Sequence, residues 1–194
     1  MLNTANVLTL CRIAAIPVVV ACFWLDRGWA QWLSAALFVI AAVTDWFDGY
    51  FARRYHQISR FGRFLDPIAD KLLVAAALVM LVNGPSGSPG PLHGINVLAA
   101  LIILAREILV SGLREFLAEL HVGLPVSALA KWKTGVQMVA IALLLVGDAA
   151  SPWVTTVGLW AIWVAAVLTL ITGYDYLRTG LKHMAADTPP GSAE

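Results

Sequence analysis

The chain has 194 residues, of which 60% are hydrophobic and only 13% charged, with a formal net charge of +1. A soluble domain carries roughly twice that charged fraction, and the mean hydropathy is +0.79. These values exclude an ordinary soluble domain and a nucleic-acid binder that relies on bulk charge, and leave room for one membrane domain without a second, soluble one.

A membrane-spanning helix needs about 20 mostly apolar residues, and six stretches meet that length. The first is predicted over Val7–Leu25, after the capping residue types Asn3-Thr4-Ala5-Asn6. It lacks a basic leader and contains Arg12, so it reads as a retained span and not as a cleavable signal. Its two cysteines, Cys11 and Cys22, lie about 16 Å apart along a helix, too far for a disulfide.

After an Asp26-Arg27-Gly28 turn, the second span is predicted over Gln31–Tyr55 and the third over Phe61–Val82. A Gly/Pro/Ser-rich loop, Asn83 to Pro91, follows, which no helix can traverse. The fourth span is expected over Ile95–Leu120 and the fifth over Ser127–Val146. The Gly147-Asp148 turn leads to Pro152, a residue type favoured at a helix start, and the sixth span runs to Leu177. Residues 1–184 thus form a polytopic all-α membrane domain, and the small, polar tail 185–194 is expected to be disordered.

Lys and Arg in short loops set orientation. Arg53, Arg54, Arg60 and Arg63 flank the 2–3 connection, Arg114, Lys131 and Lys133 flank the 4–5 connection, and Arg178 and Lys182 lie near the C-terminus. The opposite side holds only Arg27. Both termini and both basic connections are therefore expected in the cytoplasm, with the protein a multi-pass component of the plasma (inner) membrane. Trp24, Trp29, Trp32 and Trp153 fit an aromatic belt at the far interface, and Tyr50, Tyr55, Tyr174 and Tyr176 one at the cytoplasmic interface.

Four acids stand out against this apolar background. Asp45 and Asp48 are three apart, and Asp66 and Asp70 four apart, so each pair shares a helical face. Antiparallel spans bring the two pairs to similar depth near the cytoplasmic side. An intramembrane acid costs at least about 2.5 kcal/mol at a helix centre, and converging acids repel. Two divalent cations would balance four carboxylates, and Mg²⁺, with Mn²⁺ as the alternative, prefers such oxygen ligands. Paired ions also serve phosphoryl chemistry. Gly49 and Ala52 permit close approach of a ligand to the backbone, Arg53 offers charge to phosphate oxygens, and Gly62 opens the region before Asp66. A cation relay in a transporter uses similar acids, and a non-catalytic scaffold would leave their cost unexplained.

The string Asp45-x2-Asp48-Gly49-x2-Ala52-Arg53-x8-Gly62-x3-Asp66-x3-Asp70 fixes eight positions over 26 residues. It resembles the signature of the CDP-alcohol phosphatidyltransferases at every fixed position. Asn6-x-Leu8-Thr9-x2-Arg12 is similar to the entry to that family's first helix. Arg106-Glu107-x3-Ser111-Gly112-Leu113-Arg114-Glu115 and Lys131-Trp132-Lys133-Thr134 resemble the subgroup that makes phosphatidylglycerophosphate.

The resemblance implies six transmembrane helices around a cytoplasm-facing polar cavity, a homodimer, and two bound Mg²⁺ ions. Carried over, Asp45, Asp48, Asp66 and Asp70 bind metal, and Asp70 is also the general base. Asp48, Gly49, Ala52, Arg53 and Gly62 hold the CDP moiety. The implied reaction moves the phosphatidyl group of CDP-diacylglycerol to glycerol 3-phosphate. Cardiolipin, phosphatidylinositol-phosphate and phosphatidylserine synthesis are the same chemistry with another acceptor.

An acceptor that carries its own phosphate needs a second cationic pocket, for which Arg106, Arg114, Lys131, Lys133 and Arg178 are the candidates. All of these but Arg114 also have a plainer reading. Arg106 and Glu107 neutralise charge inside a bundle, and Lys131, Lys133 and Arg178 enforce topology. Lys71 pairs with a carboxylate, and Asn6, Thr9 and Arg12 cap and pack. His56, His93, His121 and His183 lie in loops or near ends, with no metal-ligand spacing among them.

Overall fold

A computed structural model describes residues 4–25, 27–55, 60–84, 88–119 and 128–186. Within them, side chains are described except at 4–7, 45–55, 60–61, 63–64, 119, 128, 130–131 and 182–186. The described chain is all-helical. Six α-helices follow in order: α1 (Thr4–Trp24), α2 (Gly28–Tyr55), α3 (Arg60–Asn83), α4 (Val97–Glu119), α5 (Ala128–Val146) and α6 (Pro152–Ala186). Short 3-10 turns, Gly94–Asn96 and Gly147–Ala149, lead into α4 and α6.

These are the elements expected from hydropathy, with small shifts. The 3-10 turn precedes the fourth helix. The sixth helix continues past Leu177 to Ala186, two residues beyond the boundary placed at 184. Helix formation does not require bilayer contact, so a hydropathy criterion ends the span before the helix itself ends. The expected tail otherwise lies outside the described residues.

Three segments are long and apolar enough to cross a bilayer: Gly94–Ala118, Trp132–Ala149 and Pro152–Leu181. Leu8–Trp24 and Gly28–Thr44 are shorter apolar helices. Their outer surface carries Ile95, Ile108, Trp132 and Trp160, all strongly exposed. On a water-soluble monomer such residues would be a liability; on a multi-pass membrane protein they face lipid. Trp24, Trp29, Trp32 and Trp153 are exposed at the end of the bundle where α1 stops and α2 and α6 start.

The helices form two groups. α1 packs on α2 and α3, while α6 packs on α4 and α5. Contacts of α2 with α5, and of α3 with α4 and α5, join them. Phe38, Leu73, Leu78, Leu81, Ile103, Ile141, Leu144 and Ile162 fill the shared core. Between them lie Ala35, Ala41, Ala77, Ala99, Ala100, Ala140, Ala165 and Ala166. Lipid is as apolar as these side chains, so close backbone approach through small residues supplies much of the association. Gly158 makes the point locally: a Cβ there would meet Leu144 Cδ2 at 2.8 Å. Cys11 is exposed and Cys22 buried, both as free thiols.

The C-terminus of α3 is closed by its own loop. Gly84 N–H donates to the Met80 carbonyl, Gly90 N–H to Val82, and Leu92 N–H to Leu81, at 2.8, 3.2 and 3.0 Å. Orphan carbonyls at the helix end are thereby satisfied. Leu92 is fully buried beneath the loop. Gly84 adopts φ +69°, and a Cβ at Gly90 would collide with the Leu81 carbonyl. Gly94 also has positive φ, at +57°, but open space around it. Gly90→Ala should therefore lower stability by about 2 kcal/mol or more, whereas Gly94→Ala should cost only the left-handed backbone strain, about 1 kcal/mol. Thermal unfolding in detergent checks the order; a Gly94 variant as unstable as the Gly90 variant would contradict this account of the loop.

Candidate functional site

The chemistry-bearing residues gather at the opposite end of the bundle, where α2, α4 and α6 finish and α3 and α5 begin. Asp45, Asp48, Gly49, Ala52 and Arg53 lie on the last turns of α2. Their side chains fall outside the described residues. Gly62, Asp66 and Asp70 lie on the first turns of α3. Helix α1 packs against both α2 and α3, which themselves touch.

Pro67 sits inside α3 immediately after Asp66. It has no N–H, so the Arg63 carbonyl loses its usual intrahelical donor. Lys71 donates to the Pro67 carbonyl at 3.3 Å. It therefore turns back along its own helix, where a carboxylate partner had been expected.

Thr9 on α1 is 1% exposed, and its hydroxyl donates to Asp66 Oδ1 at 2.6 Å. Arg12, one turn on, is also buried and engaged. The first helix thus does more than pack: it fixes the rotamer of an acid. Asp70 is half-buried and also engaged. Among the described residues no three acids, histidines or cysteines converge as a metal site; two of the four expected carboxylates lie outside that set. The donor chemistry at Asp66 and Asp70, oxygen-only with one carboxylate pre-oriented by a hydroxyl, suits a hard divalent cation.

A second polar cluster lies where α4, α5 and α6 meet. Glu107 on α4 forms an ion pair with Lys133 on α5 and accepts from Arg106 Nη1 at 3.3 Å. Lys133 is 2% exposed. Arg106 Nη2 donates to Thr172 Oγ1 on α6 at 3.1 Å, and Thr172 in turn donates to the Leu168 carbonyl at 2.9 Å. A Cβ on Gly173 would meet Arg106 Cγ at 3.0 Å, so the glycine leaves room for the arginine stem. The Arg106 and Arg114 guanidinium carbons lie 5.8 and 5.6 Å from the Tyr176 ring centroid, within cation–π range. α3 packs on both α4 and α5, so the second cluster lies beside the helix that carries Asp66 and Asp70.

Of the expected acceptor-pocket residues, Arg106, Arg114 and Lys133 are thus connected, through Glu107 and Tyr176. Arg178 is exposed on α6, two residues past Tyr176 and turned away from it by helical geometry. Lys131 lies on α5, with its side chain outside the described residues. Sequence reasoning did not single out Thr172 or Gly173, and it placed Tyr176 in the cytoplasmic aromatic belt. Tyr176 reads as an interfacial tyrosine, yet it is 6% exposed. The one available signal was the i, i+4 spacing of Thr172 and Tyr176, which marks a shared face but not what that face meets.

Residues 2–171 match the family model for CDP-alcohol phosphatidyltransferase. A Rickettsia bellii protein is 47% identical, covering 93% of this chain and 97% of its own length. One from Salmonella typhimurium is 46% identical, covering 90% and 93%. One from Cereibacter sphaeroides is 42% identical, covering 92% and 96%. All three relatives carry the name CDP-diacylglycerol–glycerol-3-phosphate 3-phosphatidyltransferase. With the family model spanning most of its length and relatives this similar over nearly all of it, the chain belongs to the CDP-alcohol phosphatidyltransferase family.

Proposed function

We propose that the chain transfers the phosphatidyl group of CDP-diacylglycerol to glycerol 3-phosphate, giving phosphatidylglycerophosphate and CMP. The observation that carries the acceptor assignment is the cluster on α4–α6, where three cations, Arg106, Arg114 and Lys133, gather around Glu107 and Tyr176. Such excess positive charge suits a phosphomonoester acceptor. A serine or a neutral polyol does not call for it. Lys131, two residues before Lys133 on α5, and Arg178 on α6 are assigned to the outer rim of the same pocket. The close relatives, named for this reaction, support the same reading.

In this reading the acceptor's free primary hydroxyl attacks the phosphorus that bears diacylglycerol. The new O–P bond forms as the pyrophosphate bond breaks, and CMP departs with the electron pair. Asp70 takes the hydroxyl proton, late in the step, as the attacking oxygen becomes acidic. Asp45, Asp48, Asp66 and Asp70 would hold two Mg²⁺ ions, with Mn²⁺ a substitute; when bound these supply Lewis-acid charge to the pyrophosphate oxygens. Thr9 keeps Asp66 turned for that role. Asp48, Gly49, Ala52, Arg53 and Gly62 form the CDP cradle. Six spans, a polar cavity open to the cytoplasm and cytoplasmic termini complete the arrangement, in the plasma (inner) membrane, and a homodimer is the proposed assembly.

The acyl chains of the donor need an apolar surface. A groove of about 520 Å³ between α1 and α3, lined by Ile13, Ile16, Pro17, Leu72 and Val79 among others, runs along the two helices that carry Thr9 and Asp66.

Purified protein given radiolabelled CDP-diacylglycerol and a panel of glycerol 3-phosphate, phosphatidylglycerol, inositol phosphate and serine should release CMP with glycerol 3-phosphate alone. Equal turnover with another acceptor would overturn the assignment, and ion flux in proteoliposomes without CMP release would favour a transporter. Asp70→Asn should abolish turnover and largely spare binding of the CDP-lipid; a residual rate above about a tenth of the parent would remove Asp70 as base. Lys133→Ala should raise the acceptor KM about tenfold or more and leave the donor KM nearly unchanged. Equal changes in both constants would take Lys133 out of the acceptor pocket.

A further inference from the structure

Threonine hydroxyls in these helices are mostly used locally. Thr44, Thr156, Thr172 and Thr179 each donate to the carbonyl four residues back on their own helix, a common outlet for a helical threonine. Thr9 differs. Its hydroxyl crosses from α1 to α3 and reaches Asp66 Oδ1 at 2.6 Å. Thr9 is buried, whereas Asp66 is exposed. The donor therefore stands behind the acid and leaves Oδ2 for whatever approaches from the open side.

Both ends of that bond are held. One turn past Thr9, Arg12 is buried and engaged. In the far half of α1 the Val19 carbonyl accepts from the buried Ser34 of α2 at 3.2 Å. On the side of the acid, Pro67 has a fixed φ and narrows the backbone range of Asp66. Asp66 is thus constrained in backbone and side chain before any cation arrives.

We infer that Thr9 is a positioning residue that selects which divalent cation Asp66 accepts, favouring Mg²⁺ and Mn²⁺ over Ca²⁺. This inference rests on the reading of Asp66 as a metal ligand. Ca²⁺ gathers many oxygens in a flexible shell and often takes both oxygens of one carboxylate. Such two-oxygen chelation has to compete with the Thr9 hydroxyl for Oδ1. Mg²⁺ is smaller, demands near-octahedral geometry and keeps several waters, so a single carboxylate oxygen serves it. Mn²⁺ shares that octahedral preference for oxygen. An outer hydrogen bond that orients a ligating group is worth about 10–100-fold in metal affinity. Here it is directed at one oxygen only, so it acts unequally on the two kinds of cation.

The test measures cation binding without substrate in the full-length protein, monodisperse in detergent. Electron paramagnetic resonance follows Mn²⁺, with Mg²⁺ and Ca²⁺ as competitors. Thr9→Val keeps the shape of the side chain and removes the donor. It should weaken Mn²⁺ and Mg²⁺ binding about tenfold and Ca²⁺ binding by less than about twofold, so the ratio of Ca²⁺ to Mg²⁺ dissociation constants falls about fivefold or more. Thr9→Ser keeps the hydroxyl and should retain the ratio of the parent. Because each ratio is taken within one protein, a smaller folded fraction does not shift it. A parent-like ratio in Thr9→Val, or a Thr9→Ser that follows Thr9→Val, overturns the selective role. If the parent takes up no Mn²⁺, or Asp66→Asn takes it up as the parent does, the reading of Asp66 as a ligand fails and the inference goes with it. Uptake that depends on Asp66, beside an unmoved ratio in Thr9→Val, refutes the role of Thr9 alone.

Discussion

Glu107 is the constraint on which the site end of this bundle depends. One carboxylate on α4 holds Lys133 of α5 and accepts from Arg106, which in turn reaches Thr172 of α6. Three helices are thereby fixed in rotation and height relative to one another. In an apolar surrounding a buried ion pair adds little net stability, but loss of one partner leaves an uncompensated charge worth about 3–5 kcal/mol. The pair therefore acts chiefly as a register mark. It decides which face of α5 and of α6 looks inward, and so which side chains line the polar end of the bundle.

The other polar half is organised from α1. Thr9 reaches across to Asp66, and Arg12 is buried beside it. α1 therefore serves as a backstop for the acids of α3. The two halves meet where α3 packs on α4 and α5. A carboxylate proposed to take a proton from the acceptor and an ammonium proposed to bind that acceptor's phosphate thus lie on helices that pack together. Placing the reacting end and the anchoring end of one small substrate in such proximity is how positioning lowers a barrier.

Much of this was legible in the sequence because the signals were local. Gly, Pro and Asp in the turns marked the helix ends to within a few residues, and the three- and four-residue spacings put each acid pair on one face. The string of acids and small residues identified the family, which the family model bears out. Arg106 was conspicuous as a charge inside an apolar run. What could not be read was pairing across helices. That Thr9 serves Asp66, 57 positions away, depends on how α1 and α3 pack. Tyr176 read as an interfacial residue because a tyrosine near a helix end is usually one; only the rotation of α6, set by Arg106 and Thr172, turns its ring inward. Lys71 was expected to seek a carboxylate, but its ammonium donates to the Pro67 carbonyl one turn back on its own helix.

The length of α6 carries a last implication. Thirty-five helical residues span about 52 Å, against a hydrocarbon layer of about 30 Å. A rod that long outreaches the oily slab, so its final turns stand among head groups and water. The stretch from Thr172 to Arg178 then straddles the boundary between the two phases. A water-borne phosphate ester would arrive there from above, while a lipid carrier slides in sideways along the apolar α1–α3 furrow. Neither reactant would have to leave its own solvent before meeting the other.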